Sequence, residues 1–280
     1  MAEPDLYRNR DFIPDFDAIM AETEVRSREV AARNRMERNI SYGPGPRQVF
    51  DLVFPPGDVS GAPLHIFIHG GYWRAGSKDV HTLVAEPVLA AGGICALVGY
   101  GLMPSTRLAN IVAQVRAAAR HIAALAPQIG ADRARITASG HSAGAHLASL
   151  LAARAPGDTA PPTLPDIKGL LLVSGIFDLS GIPGSFLRDE ARMTSTEAAD
   201  WSPLKATQDA GTRRIITHGE QETRPFHEQA KAFATLTETT GGSVEYRQEA
   251  GRNHLNIVLD LADPDAPLGR ILADLVCTSL

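Results

Sequence analysis

Short apolar runs recur along this chain, separated by longer stretches of helical period. Leu64-His65-Ile66-Phe67-Ile68 and Ile94-Cys95-Ala96-Leu97-Val98 are continuous enough to be strands buried on both faces, and Arg135 to Ala138, Lys168 to Val173, Arg213 to Thr217 and Ser243 to Gln248 repeat the pattern. Gln48 to Phe54 alternates with period two until Pro55-Pro56 stops it, and the turn chemistry of Ser41-Tyr42-Gly43-Pro44-Gly45-Pro46 predicts an antiparallel edge pair there. Helical spacing appears over Lys78 to Ala91 and over Leu108 to Ala126, closed by Pro127, with a weaker stripe of Ile19, Val25, Val30 and Ala31 after Pro14.

Strands alternating with helices imply a mostly parallel sheet, here of eight strands, covered by helices on both faces. Residues 1–36, polar and charged, are expected to be an N-terminal helical extension, and 37–280 a single domain, since no low-complexity linker divides them. The stretch 178–208, with scattered Gly, Pro, Ser and charges, fits no regular core element and is expected to form a small cap.

In parallel sheets ligands collect beyond the carboxyl ends of the strands, and that is where the chemistry of this chain lies. Gly140-His141-Ser142-Ala143-Gly144 follows one strand and precedes an alanine- and leucine-rich helix. Small flanking residues let a sharp turn lift the Ser142 hydroxyl clear of the backbone, which makes it the candidate nucleophile. A serine hydroxyl attacks only when a base takes its proton. Of nine histidines, His254 is best placed, in a loop between the last strand and a helix, whereas His141 and His146 flank the nucleophile, His69 belongs to a glycine loop, and His218 and His227 precede the last strand. An acid must orient that imidazole; Glu222, Glu220 and Asp178 all follow strands. His69-Gly70-Gly71-Tyr72-Trp73 follows a buried strand, and the N–H groups of Gly71, Tyr72 and Ala143 are the expected donors to an oxyanion. Tyr72 and Trp73 are expected to wall the substrate pocket.

Composition narrows the partners. The 280 residues are 44% hydrophobic, ample for a buried core, and a net charge of −5 with mixed signs offers no basic footprint for nucleic acid and no polybasic membrane patch. A small-molecule acyl substrate is the expected partner, and a homodimer contact through the N-terminal extension is a further expectation. Cys95 and Cys277 have no metal or disulfide spacing and are expected to be buried free thiols. The start of the chain lacks the regions of a signal peptide and no apolar run is long enough to span a bilayer, so a cytoplasmic location is expected.

These motifs resemble the α/β-hydrolases, and within them the kynurenine formamidase (arylformamidase)-like branch related to hormone-sensitive-lipase-type esterases. His69-Gly70-Gly71-Tyr72-Trp73 resembles the H-G-G-x-W of formamidases, where esterase relatives carry H-G-G-G, and both 140–147 and 253–268 are similar to that branch. The likeness spans roughly Tyr42 to Leu272. It implies an α/β-hydrolase fold with a small cap and the chain order serine, acid, histidine. By that order and by its place three residues past Gly219, the acid falls on Glu222, beside the alternatives Glu220 and Asp178. Gly99-Tyr100-Gly101-Leu102-Met103-Pro104 departs from the branch's Asn-Tyr-x-Leu-x-Pro, and glutamate replaces its commoner aspartate. The resemblance implies a serine hydrolase without cofactor or metal, cleaving an aryl formamide or short-chain ester through an acyl-enzyme. General carboxylesterase, carbamate or amide hydrolysis is the alternative, and a small-ligand binding protein without catalysis is a more remote one.

Overall fold

The computed structural model describes residues 3–278. Eight strands form one sheet: β1 (Met36–Ser41), β2 (Val49–Val53), β3 (Ala62–Ile68), β4 (Ile94–Val98), β5 (Ala131–His141), β6 (Gly169–Val173), β7 (Arg213–Gly219) and β8 (Val244–Glu249). Their order is β1-β2-β4-β3-β5-β6-β7-β8. β2 pairs antiparallel with both neighbours and every other pairing is parallel. The expected turn chemistry forms the β1–β2 connection, residues 42–48, with Tyr42 N–H donating to Gln48 O at 3.0 Å.

The helices are α1 (Phe16–Arg33), α2 (Ala85–Ala90), α3 (Leu108–Leu125), α4 (Ala143–Ser149), α5 (Ser195–Trp201), α6 (Arg224–Thr239), α7 (Asn256–Leu261) and α8 (Pro267–Cys277). Strand side chains alternate between the faces, and both faces are apolar. Leu64, Ile66 and Ile68 of β3 pack into a core shared with α3, α4, α5 and α6, while Phe67, Cys95, Leu97, Leu171 and Ile215 pack with α2, α7, α8 and Val30 of α1. Leu108, Ile111, Val112, Val115 and Ile122 make the buried stripe of α3, each large side chain contributing about 1.5–3 kcal/mol by leaving water. The polar residue in β3, His65, is buried with its ring nitrogens 2.8 Å from Thr137 Oγ1 and 2.7 Å from Ser139 Oγ. Burial pushes its pKa down to about 3, so it serves as a neutral cross-strand hydrogen-bonder.

Several expectations are corrected. The helix expected over Lys78 to Ala91 is a 3₁₀ segment, Asp79–Val84, running into the short α2, with a non-helical break at His81 (φ −121°). By contrast α3 does end at Leu125, just short of Pro127, which sits in a 3₁₀ turn, Ala126–Ile129, closed by Gly130 at φ +82°. Cys95 is buried, but Cys277 is exposed because it lies at the outer end of α8. The 178–208 stretch contains regular structure after all: α5 begins with a reciprocal capping box between Thr194 and Glu197 and buries Ala198 and Trp201 in the main core. No helix among the described residues is long and apolar enough to cross a membrane.

Candidate active site

Ser142 stands between β5 and α4 with φ 56° and ψ −122°, a conformation that costs a non-glycine residue free energy and recurs where function requires it. Its N–H is fixed by Val173 O of β6 at 2.9 Å. The two motif glycines are required by close backbone approach. A Cβ on Gly140 would lie 2.3 Å from the Gly144 carbonyl, and one on Gly144 only 2.0 Å from Ile68 O. The strand, the turn and the helix therefore stack without room for side chains.

The carboxyl end of β7 and the loop after β8 bring the partners in. His254 Nε2 lies 3.0 Å from Ser142 Oγ, and its Nδ1 lies 2.8 Å from Glu222 Oε2. The other carboxylate oxygen, Oε1, accepts from Gly219 N–H at 2.7 Å and from Ser174 Oγ at 2.5 Å. A carboxylate can only accept, so Nδ1 carries the proton and Nε2 is left as the acceptor for the serine hydroxyl. Burial of Glu222 acts to raise its pKa, but the facing His254 together with the Ser174 and Gly219 hydrogen bonds outweighs it, and the carboxyl is held below its usual range. Gly219 is again a close-approach glycine: a Cβ there would meet Arg252 O at 2.2 Å, where the loops carrying Glu222 and His254 cross.

The alternatives lie apart from this chain of contacts. Glu220 accepts from Gly251 N–H at 2.8 Å and Asp178 from Ser180 N–H at 2.9 Å. His69 stacks on Tyr100 at 4.3 Å, His146 holds Trp201 O at 2.8 Å, and His218 holds the Tyr246 hydroxyl at 2.8 Å.

The glycine loop lies directly against Ser142, since a Cβ on Gly70 would be 3.2 Å from Ser142 Cβ. Gly71, Tyr72 and Trp73 all have positive φ (113°, 51° and 58°), which turns the loop back over the elbow. Among the described residues no protein acceptor takes the N–H of Gly71, Tyr72 or Ala143. Donors left open beside a nucleophile are what a developing oxyanion needs.

A cavity of about 440 Å³ opens on Ser142 and His254 and is lined by Tyr72, His141 and Phe186 among others. Trp73 is not among its walls. Its left-handed backbone turns the indole into the core, where it is fully buried and its Nε1 donates to His146 Nδ1 at 3.1 Å. The expectation that Trp73 binds substrate is corrected accordingly, while Tyr72 does face the cavity. From 178–208 only Phe186 and Glu190 reach it. Residues of the stretch from Arg74 to His81, and Leu255, add to the lining, and a further wall is the N-terminal segment, through Arg8, Asn9, Arg10, Phe16 and Met20. That segment is seated on the site: Asn9 Nδ2 donates to the Tyr72 hydroxyl at 2.7 Å, that hydroxyl donates to Tyr7 O, and Thr223 Oγ1 donates to Leu6 O at 2.6 Å.

With this geometry in place, comparison with known proteins gives the lineage. The family model described as BD-FAE matches residues 50–236. This chain belongs to the BD-FAE family. Kynurenine formamidase of Danio rerio is 28% identical over 85% of this chain and 81% of its own length, and carboxylesterase NlhH of Mycobacterium tuberculosis is 25% identical over 85% and 81%. A solved protein of Silicibacter sp. TM1040, 26% identical, superposes with a TM-score of 0.80 over 95% of this chain and 97% of that one. The thermostable carboxylesterase EstE1, 18% identical, shares the fold with a TM-score of 0.65 over 94% and 95%. The chain is an α/β-hydrolase of the kynurenine formamidase-like esterase kind.

The BD-FAE match begins in β2, so the N-terminal wall of the cavity lies outside it. Nothing in the polar pattern of 8–10 marks those residues as part of the site. Ser174, which holds Glu222, was within reach of sequence reasoning, because it immediately follows Val173 at the carboxyl end of β6. Among the described residues no cluster of three or more His, Cys, Asp or Glu is arranged to hold a metal ion.

Proposed function

We propose that this BD-FAE protein removes a small acyl group from an aryl formamide or short-chain ester through a Ser142–His254–Glu222 triad and an acyl-enzyme. That it is a hydrolase acting on ester or non-peptide C–N bonds follows from its formamidase and carboxylesterase relatives. The observation that carries the finer reading is the unbroken relay from Glu222 Oε2 through His254 to Ser142 Oγ, at 2.8 and 3.0 Å. As Oγ attacks the carbonyl carbon, Nε2 takes its proton, and Glu222 stabilises the imidazolium while keeping the ring oriented. The carbonyl electrons move onto oxygen, where the N–H groups of Gly71, Tyr72 and Ala143 receive them; loss of one such donor typically costs about 2.7–4 kcal/mol of barrier. The imidazolium then protonates the leaving amine or alcohol, and water repeats the sequence on the acyl-enzyme.

The test is covalent. Treatment with a sulfonyl fluoride followed by intact-mass analysis and peptide mapping is expected to show one adduct, on Ser142. An adduct on another residue with Ser142 unmodified would refute the assignment.

Substrate size follows from the cavity. Tyr72 stands where esterase relatives carry the third glycine of H-G-G-G, and its ring meets Phe186 edge-on at 5.3 Å. A longer acyl chain forced against these packed rings meets an overpacking cost of about 1–3 kcal/mol, roughly ten- to a hundredfold in rate. Across formyl, acetyl and butyryl anilides and phenyl esters, kcat/KM is expected to fall steeply with acyl length. A preference for butyryl or longer chains would instead assign a general carboxylesterase.

A further inference from the structure

His141, the residue before the nucleophile, takes no part in the proton relay, yet its ring lies 4.9 Å from that of His254 and lines the same cavity. Its Nε2 is 2.8 Å from the His254 carbonyl oxygen. A carbonyl can only accept, so the proton sits on His141 Nε2 and the bond is an N–H donated from the end of β5 to the backbone of the loop that carries the base. The carbonyl is free to receive it because Val258 N–H, which a regular helix would direct to residue 254, turns to Leu255 O at 3.0 Å. His141 remains neutral while doing this, since burial first, and then the neighbouring His254 and His81, push its pKa well below the usual value.

The relay and this bond behave differently during turnover. In the free enzyme His254 is held to the elbow twice, by Ser142 Oγ–H at its ring and by His141 at its backbone. Once Oγ carries the acyl group it has no proton to donate, and the first of these contacts is lost. The ring then keeps Glu222 at Nδ1, a single pivot, and the tilted ring of Phe226 at 4.4 Å. Deacylation still requires Nε2 at hydrogen-bonding distance from a water. That water's oxygen bonds to the acyl carbon as its proton passes to Nε2, and the same proton returns to Oγ as the acyl–oxygen bond breaks.

We propose that His141 is a positioning residue for deacylation, holding His254 in register with the acyl carbon through the His141 Nε2–His254 O hydrogen bond during the interval when Ser142 no longer can. The inference rests on the triad reading above. It is specific to one half-reaction, which separates it from a general role in folding.

The experiment is stopped-flow hydrolysis of p-nitrophenyl acetate by wild type, His141→Phe, His141→Gln and His141→Asn, with intact-mass analysis of acid-quenched samples. In His141→Phe, which fills the space but cannot donate, the burst rate is expected to change by less than about threefold while the steady-state rate falls about tenfold or more, the size of effect that a small misplacement of a catalytic group produces. Acetyl-enzyme then accumulates on Ser142. His141→Gln, with an N–H of comparable reach, restores most of the steady-state rate, and the shorter His141→Asn does not. The Gln and Asn pair carries the comparison even if His141→Phe fails to fold. Equal slowing of both phases, or Gln as impaired as Asn, would overturn the inference and leave the triad standing. Absence of any acetyl adduct on Ser142 in every protein, wild type included, would overturn the triad reading and this inference with it.

Discussion

Replacing Ser142 with alanine is expected to lower kcat by roughly five to six orders of magnitude, because the covalent route is removed and only the oxyanion donors and substrate binding remain to accelerate direct hydrolysis. The variant isolates chemistry from folding. The elbow conformation, φ 56° and ψ −122°, is strained for alanine as it is for serine, and the N–H to Val173 O bond is a backbone contact that survives the change. Thermal unfolding should therefore shift little while activity collapses, as read by kcat on a chromogenic ester in preparations free of wild type. Residual activity above about one per cent of wild type would mean that Ser142 is not the nucleophile.

Glu222→Gln is expected to cost about four orders of magnitude in kcat through the imidazole tautomer. Gly219 N–H and Ser174 Oγ both donate to Oε1, so the amide oxygen of a glutamine takes that place and its NH₂ faces His254 Nδ1. Two donors cannot share that contact, and the ring proton moves to Nε2, where it points at Ser142 instead of accepting from it. The charge change also has a stability signature. Because the native carboxyl is held below its usual range, its contribution to stability is present above the unfolded-state pKa and is lost as pH falls through the lowered native value. Urea unfolding of the variant should be less dependent on pH across that acid window than wild type. A variant with wild-type kcat would remove Glu222 from the relay.

The core of this fold was legible because strands buried on both faces leave a strong mark. Leu64 to Ile68 and Ile94 to Val98 read as continuous apolar runs, and they are the interior strands β3 and β4. The elbow was legible for a different reason. Gly140 and Gly144 are demanded by backbone atoms 2.0–2.3 Å from where a Cβ would sit, a constraint so local that it fixes residue types within five positions. Glu222 and His254 stood out because each lies a few residues past a strand, but that position left Glu220 and Asp178 beside Glu222, and only the family order of serine, acid and histidine favoured it.

Side-chain direction in the glycine loop was not legible. In an extended strand Tyr72 and Trp73 would alternate, but three successive residues at positive φ break that rule and send the larger ring into the core, with His146 as its polar partner. The N-terminal wall was hidden for a chemical reason. Asn9 is buried against the Tyr72 hydroxyl, and a buried asparagine looks the same in a sequence as a solvated one until its hydrogen-bond partner is known. Arg8, beside it, lays its guanidinium over the Phe186 ring at 5.1 Å, so a charged residue joins the wall through a cation–π contact.

The cavity is thus assembled from parts that answer to different demands. Its floor, Ser142, His254 and the glycine loop, is bound to the sheet by contacts that allow almost no substitution. Part of its rim, Arg8 to Met20, comes from chain that supplies no strand to the sheet and lies outside the stretch matched by the family model. Substitutions along Arg8 to Met20 can therefore reshape that rim without disturbing the contacts that hold the floor.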